Sequence, residues 1–312
     1  MKFFELIPDN LNINFIGKFK LFLVISVLSV AASIGGMLTR GFNFGIDFTG
    51  GTVVQAKFAE PTPIEDVRKL LDSIGEKEAS VVSMGAQGQE YLITGSMPTD
   101  AKISTLPSVI QEKAGGPSKL TIMQADVVGP KVGAELKLSA LRSLVYAIIL
   151  IMVYIWFRFD FKFAPGATVA LVHDVIVAAG YYVVTQQEFD ITAVAALLTI
   201  AGYGVNDTIV IYDRVREMMK IGGDAMSLPD TINKAINMTL SRTVLTSGLV
   251  FLSVLPVAVF CTGPIQDFAE TMLIGIFIGT YSTYYIAAPM TIYVDKFMKR
   301  KGTKSGRRIA TV

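Results

Sequence analysis

The stretch ITAVAALLTIAGYGVNDTIVIYDRVRE (Ile191–Glu217) sets an acid, Asp207, inside an apolar run that ends only at Ile211. A run of this length reads as a membrane helix, which needs about 20 apolar residues to cross a bilayer. A carboxylate there costs about 2.5–3.5 kcal/mol on insertion scales, so its presence points to function. The next apolar run, SRTVLTSGLVFLSVLPVAVF (Ser241–Phe260), opens with a cation, Arg242. Asp207 lies about 24 Å below the outer start of its helix, and Arg242 about 27 Å below the outer end of its own. The two charges fall at one level, so the expectation is that they meet if their helices are neighbours. The cation would favour the ionised carboxylate and dehydration the protonated one. A group poised between them can load and release a proton. The competing reading has Asp207 as a packing or capping group and Arg242 as an interfacial anchor.

The rest of the chain has the same character. Of its 312 residues, 52% are hydrophobic and 17% charged, against about 25% charged in soluble domains. Six apolar segments predict six transmembrane helices, at Phe19–Leu38, Ser139–Phe157, Ala164–Thr185, Ile191–Tyr212, Thr243–Cys261 and Phe268–Tyr293. The first exceeds the core of a signal peptide and is flanked by Lys18 and Lys20, which reads as an uncleaved anchor. The net charge of +2 gives no argument for nucleic acid. A single cysteine and a single histidine argue against an internal disulfide, a cysteine-based metal cluster and a zinc site. No GxxxxGK[ST] loop for nucleotide phosphates is present. The expectation is no catalytic residues, no metal and no cofactor.

Lysines and arginines set the expected orientation. Arg158, Lys162, Arg214, Arg216, Lys220, Lys234 and the tail cations fall on one side, while the loops Gln186–Asp190 and Thr262–Asp267 carry none. Both termini are therefore expected in the cytoplasm. This divides the chain into a cytoplasmic segment 1–18, a first helix 19–38, an extracytoplasmic domain 39–138, a five-helix bundle 139–295 and a basic tail 296–312. Within the bundle, 213–241 is expected to form a cytoplasmic loop. Its LPDTINKAINMTLSR places Leu228, Ile232, Ala235, Ile236 and Leu240 on one face, as in an amphipathic helix along the membrane surface. In the outer domain, TVVQAKF, ASVVSM, EYLITG and LTIMQADVVG read as strands, with helices at PIEDVRKLLDSI and near Pro107. The order β-α-β-β-α-β is that of a small ferredoxin-like α/β fold.

Other residues could assist Asp207. His173 and Asp174 lie about 14 Å into the third helix, near mid-membrane. Asp174 reads either as a secondary relay group or as a hydrogen-bond acceptor between helices. Asn206 and Thr208 flank Asp207 and could hydrogen-bond its carboxylate. Gly202 and Gly204 permit close packing, and Gly275 and Gly279 have GxxxG spacing.

Several strings occur together in fixed order: FNFGIDFTGG (Phe42–Gly51), VVGPKVGAEL (Val127–Leu136), ALVHDV (Ala170–Val175), GYGVNDTIVIYDRVRE (Gly202–Glu217) and SRTVLTS (Ser241–Ser247). Over about Gly17–Lys296 the chain resembles the SecF family of bacterial protein-export subunits. Its six-helix core is similar to half of a resistance-nodulation-division transporter. The resemblance implies work with SecD beside the SecYEG channel, using the proton motive force to promote late preprotein translocation in the inner membrane. YajC, YidC, the translocating preprotein and membrane lipid complete the implied partners, with no nucleic acid. It also implies that Asp207 and Arg242 are the family's functional pair, and that Gly45, Asp47, Gly50 and Gly51 form a connector to the outer domain. The alternative is half of a proton-driven exporter of small molecules or lipids, and a further rival is a non-transporting scaffold.

Overall fold

A computed structural model describes residues 11–76, 79–84, 88–95, 106–222 and 226–309. The first ten residues, residues 85–87 of the Gly-rich turn between ASVVSM and EYLITG, the stretch 96–105 that opens the expected second helix, Gly223 and the end of the basic tail lie outside them.

Six helices are long and apolar enough to cross a membrane. The first is α1 (Phe19–Thr39). A four-residue turn, α2 (Ile46–Thr49), leads into the small domain. That domain runs β1 (Gly51–Phe58), α3 (Ile64–Ser73), β2 (Ser80–Met84), β3 (Glu90–Gly95), α4 (Leu106–Lys113) and β4 (Leu120–Val128). The other membrane helices are α5 (Pro130–Arg158), α6 (Ala164–Thr185), α7 (Ile191–Gly222), α8 (Leu228–Phe260) and α9 (Pro264–Ser282). A π-helical turn, Thr283–Ala287, joins α9 to α10 (Ala288–Ile309).

The sheet order is β2-β3-β1-β4, all neighbours antiparallel. With the element order above, this is the ferredoxin-like topology expected from the strand and helix patterns. Alternation explains its core. Tyr91 and Ile93 of β3 point the same way as Val54 and Ala56 of β1, against Val67 and Leu71 of α3 and Leu106 and Ile110 of α4. Burying each large apolar side chain contributes about 1.5–3 kcal/mol.

In the membrane part, α6, α7 and α9 form the packed centre, while α1, α5 and α8 cover it on one side each and leave most of their surface bare. Small residues set the spacing. A Cβ on Gly279 would come within 3.1 Å of the Gly204 Cα, and one on Gly275 would strike the Ile200 side chain. The GxxxG spacing thus marks the α9–α7 contact.

Three boundaries differ from expectation. α5 starts at Pro130 rather than Ser139, because Gly129 is extended and Pro130 supplies the preset φ of a first helical turn. The sixth segment is broken by the π-helical turn. Pro289 lacks the N–H that would bond back to the Tyr285 carbonyl, and the ladder widens just before it. The amphipathic stretch is not a separate surface helix. It is the first half of α8, continuous with the fifth span, and Ile232, Ala235, Ile236 and Leu240 are buried in the bundle's core. The periodicity was legible, but polar residues on the opposite face resembled a loop. The start of α8 is held by the chain's N-terminal segment. Asn237 accepts from the Ile13 N–H at 2.8 Å, and Asn233 from the Phe15 N–H at 2.9 Å.

Candidate functional site

Asp207 is 4% exposed on α7. Its Oδ2 accepts a hydrogen bond from Ser247 Oγ of α8 at 3.1 Å, and Thr280 of α9 donates in turn to Ser247 at 3.3 Å. Tyr203 faces Ser247, and Tyr284 faces Thr243, both short of hydrogen-bonding geometry. The acid is therefore surrounded by hydroxyls from three helices.

Arg242 does not close on Asp207 as an ion pair; it acts on the carboxylate only through space. The reason is helical geometry. Ser247 is five residues on from Arg242, so the two point about 140° apart around α8. With Ser247 turned to Asp207, Arg242 is left exposed on the outer surface. Asn206 is likewise exposed and does not reach the acid, while Thr208 is buried against Thr283 at 2.9 Å. The expected neighbours of the carboxylate are replaced by Ser247. A hydroxyl five residues beyond Arg242 was the available signal, but the face it occupies depends on how α8 is rotated.

Asp174 and His173 lie together in the packed centre, 2% and 6% exposed. His173 Nδ1 is 2.9 Å from Asp174 Oδ1, and Ser282 donates to Oδ2 at 2.7 Å.

The connector residues are stapled to the loop between α6 and α7. Gly45 N–H donates to the Phe189 carbonyl at 3.1 Å, and Phe189 N–H to the Asn43 carbonyl at 2.7 Å. Asn43 Nδ2 donates to the Gln186 carbonyl at 3.0 Å. Gln186 has φ 59°, the one non-glycine residue with positive φ among those described, where it ends α6. Asp47 Oδ2 accepts from the Ile191 N–H at 3.1 Å, so the connector caps the helix that carries Asp207. On its other side, a Cβ on Gly50 would sit 2.8 Å from the Pro130 Cα. The connector is clamped between the start of α7 and the start of α5.

No lysine or arginine among the described residues lowers the acids of this junction, and the nearby Lys137 sits over the Phe44 ring at 3.5 Å. Burial pushes Glu188 above the ordinary carboxylate range, and Asp190 and Asp47 push it further. Asp190 is also raised, by burial foremost, against hydrogen bonds from Thr192 and Ala193. A raised carboxyl pKa in the folded state means that the folded junction binds protons more tightly than the unfolded one. The stabilisation is complete below the unfolded value, about 4, and is lost as pH rises through the folded value. Lowering pH from 7 toward 4 should therefore slow amide exchange at Gly45 and Phe189, after correction for intrinsic rates. Unchanged protection would show that these acids do not govern the junction.

The described chain is thus a membrane-protein fold with a buried acid in a six-helix core and one small domain inserted after the first span. Residues 109–297 match the model for "Protein export membrane protein SecD/SecF, C-terminal", and residues 35–62 the SecD/SecF GG motif. The chain belongs to the SecD/SecF family. It is 41% identical to the protein translocase subunit SecF of Calditerrivibrio nitroreducens, covering 96% of this chain and 99% of that one. It is 37% identical to SecF of Helicobacter pylori strain J99, over 92% and 88%. Among solved structures, SecDF of Thermus thermophilus, described as a translocon-associated membrane protein, superimposes with TM-score 0.81 at 33% identity. That match covers 93% of this chain but only 40% of the SecDF chain.

Proposed function

We propose that the chain is the SecF half of a SecD–SecF pair that uses the proton motive force to promote late preprotein movement through SecYEG. The observation that carries this reading is Asp207, an acid buried in a membrane helix, held by hydroxyls and facing a helix whose cation lies just outside the bundle. In this reading Arg242 and Asn206 meet the partner's helices, and Asp207 exchanges its proton as the two halves rock. A proton crossing 100 mV releases about 2.3 kcal/mol, enough to bias a conformational equilibrium. The connector transmits the motion: a shift of α7 pulls on Asp47, and through Gly50–Gly51 on β1. The pair has no need of a nucleotide or cofactor.

The test is reconstitution. Proteoliposomes holding the channel, the SecD-type partner and this chain should move a trapped preprotein further when a proton gradient is imposed. This chain without the partner should give no gradient response. Equal responses with and without it would overturn the pairing.

The same reading sets the protein in the inner membrane with both termini cytoplasmic and the ferredoxin-like domain outside. A cysteine introduced at Lys113 should react with an impermeant thiol reagent added to intact spheroplasts, and one at Lys162 only after lysis. The reverse pattern would invert the orientation.

A further inference from the structure

Four consecutive residues at the end of the central helix, Thr280–Thr283, bond to four different helices. Thr280 donates to Ser247 of α8, which donates to Asp207. Tyr281 donates to the Phe22 carbonyl of α1 at 2.8 Å and is hydrogen-bonded to Ser26. Ser282 donates to Asp174 of α6. Thr283 pairs with Thr208 of α7, beside Asp207. The π-helical turn begins at the last of these four. Such turns concentrate at functional sites, because their wider ladder can shift between arrangements.

We propose that Asp174 is a second proton-binding site of this subunit, tied to Asp207 through Thr280–Thr283 and the π-helical turn. The proposal rests on the reading of Asp207 as a relay acid. Around Asp174, α6 contributes His173, α9 contributes Ser282 and the Tyr281 ring, and α7 contributes only the backbone at Gly204. No lysine or arginine faces it among the described residues. With Nδ1–H donated to Asp174, His173 keeps a bare Nε2, which is buried without a partner. His173 thus gives the carboxylate one hydrogen bond through Nδ1 and leaves its other ring nitrogen free to change partner. A carboxylate so enclosed, with no lysine or arginine against it among the described residues, is a place for a proton to bind and leave.

Coupling follows from the shared helix. Ser282 holds one acid and Thr280 reaches the other, two residues apart. When either acid changes its proton, its hydroxyl partner must change donor role or move, and α9 carries that change to the second acid. The four buried side-chain atoms without partners among the described residues are His173 Nε2, Tyr203 Oη, Thr243 Oγ1 and Tyr284 Oη. All belong to helices around these two acids. Spare hydrogen-bonding capacity of this kind is what a second arrangement of the network requires.

Infrared difference spectra of the full chain, reconstituted with its six-span partner and stepped from pH 9 to pH 5, read protonated carboxyl groups directly. We expect one carbonyl band to vanish in Asp174→Asn and a different one in Asp207→Asn. Asp174→Asn should also move the titration midpoint of the Asp207 band by about one pH unit, the size expected of coupled sites. Ser282→Ala should keep the Asp174 band but shift its frequency. A spectrum of Asp174→Asn that superimposes on the unsubstituted protein would overturn the site. An unmoved Asp207 midpoint would overturn the coupling. If Asp174→Asn fails to fold, an Asp174 band unchanged by Ser282→Ala overturns the proposal by itself. Loss of no band in Asp207→Asn would count against the relay reading alone, since the Asp174 band is scored separately.

Discussion

Asp207→Asn is expected to abolish gradient-driven preprotein movement while leaving the protein folded. The amide keeps the shape of the carboxylate and an oxygen to accept from Ser247. It removes the charge whose insertion costs about 2.5–3.5 kcal/mol, so thermal stability in detergent should hold or rise. Export measured while the gradient is collapsed and restored should show no response above background. ATP-driven early insertion should continue, since the chain has no phosphate loop. Arg242→Met should also stall the cycle. Arg242→Lys should retain part of it, keeping the charge but not the planar fork. Export by Asp207→Asn at the unsubstituted level would make Asp207 structural. Because Arg242 lies on the exposed face of α8, its variants should in addition weaken copurification with the partner, whereas Asp207→Asn should not.

Gly50→Ala is expected to destabilise the protein strongly. Gly50 has φ 78° and ψ 155°, a region open essentially to glycine alone, and a side chain there costs about 1–3 kcal/mol in backbone strain. The added methyl would also meet the Pro130 backbone at 2.8 Å, and neither segment can move freely. β1 is tied to β4 through Gly51–Val128, and α5 begins at Pro130, so the clash pries the domain from the bundle at its hinge. The measurable result is loss of the folded protein from membranes or a fall in its unfolding temperature, with Gly129→Ala as the control, since a Cβ there meets nothing. Equal stability of the two variants would sink the argument.

The sequence made the architecture readable where one signal dominates. Apolar length located the six spans, and alternation in EYLITG with helical spacing in PIEDVRKLLDSI located the small domain. It failed where two signals compete. The C-terminal part of α7 and the N-terminal part of α8 are polar on one side and apolar on the other, and nothing local separates such a helix from a surface one. Asp207 stood out because an acid in a membrane helix is expensive. Its hydrogen-bond partner Ser247 was not legible, because depth along a helix follows from counting residues, while the direction of a side chain depends on packing. Gly204 against Gly279 fixes the α7–α9 approach, and that contact spans 75 residues of sequence. The π-helical turn had a cue in Pro289, but a proline by itself also suits a simple kink.

The bare guanidinium on α8 has a bearing on the life of the protein before assembly. In a chain newly inserted and not yet joined to a neighbour, Arg242 and Asn206 would lie on the bare side of the bundle. The membrane around them must thin, or admit water and headgroups, to solvate them. Such a defect distinguishes an orphan subunit from an assembled one by a physical property that membrane proteases and chaperones can sense. Covering that face with a partner's helices would remove the defect, so exposure of Arg242 marks the unassembled state.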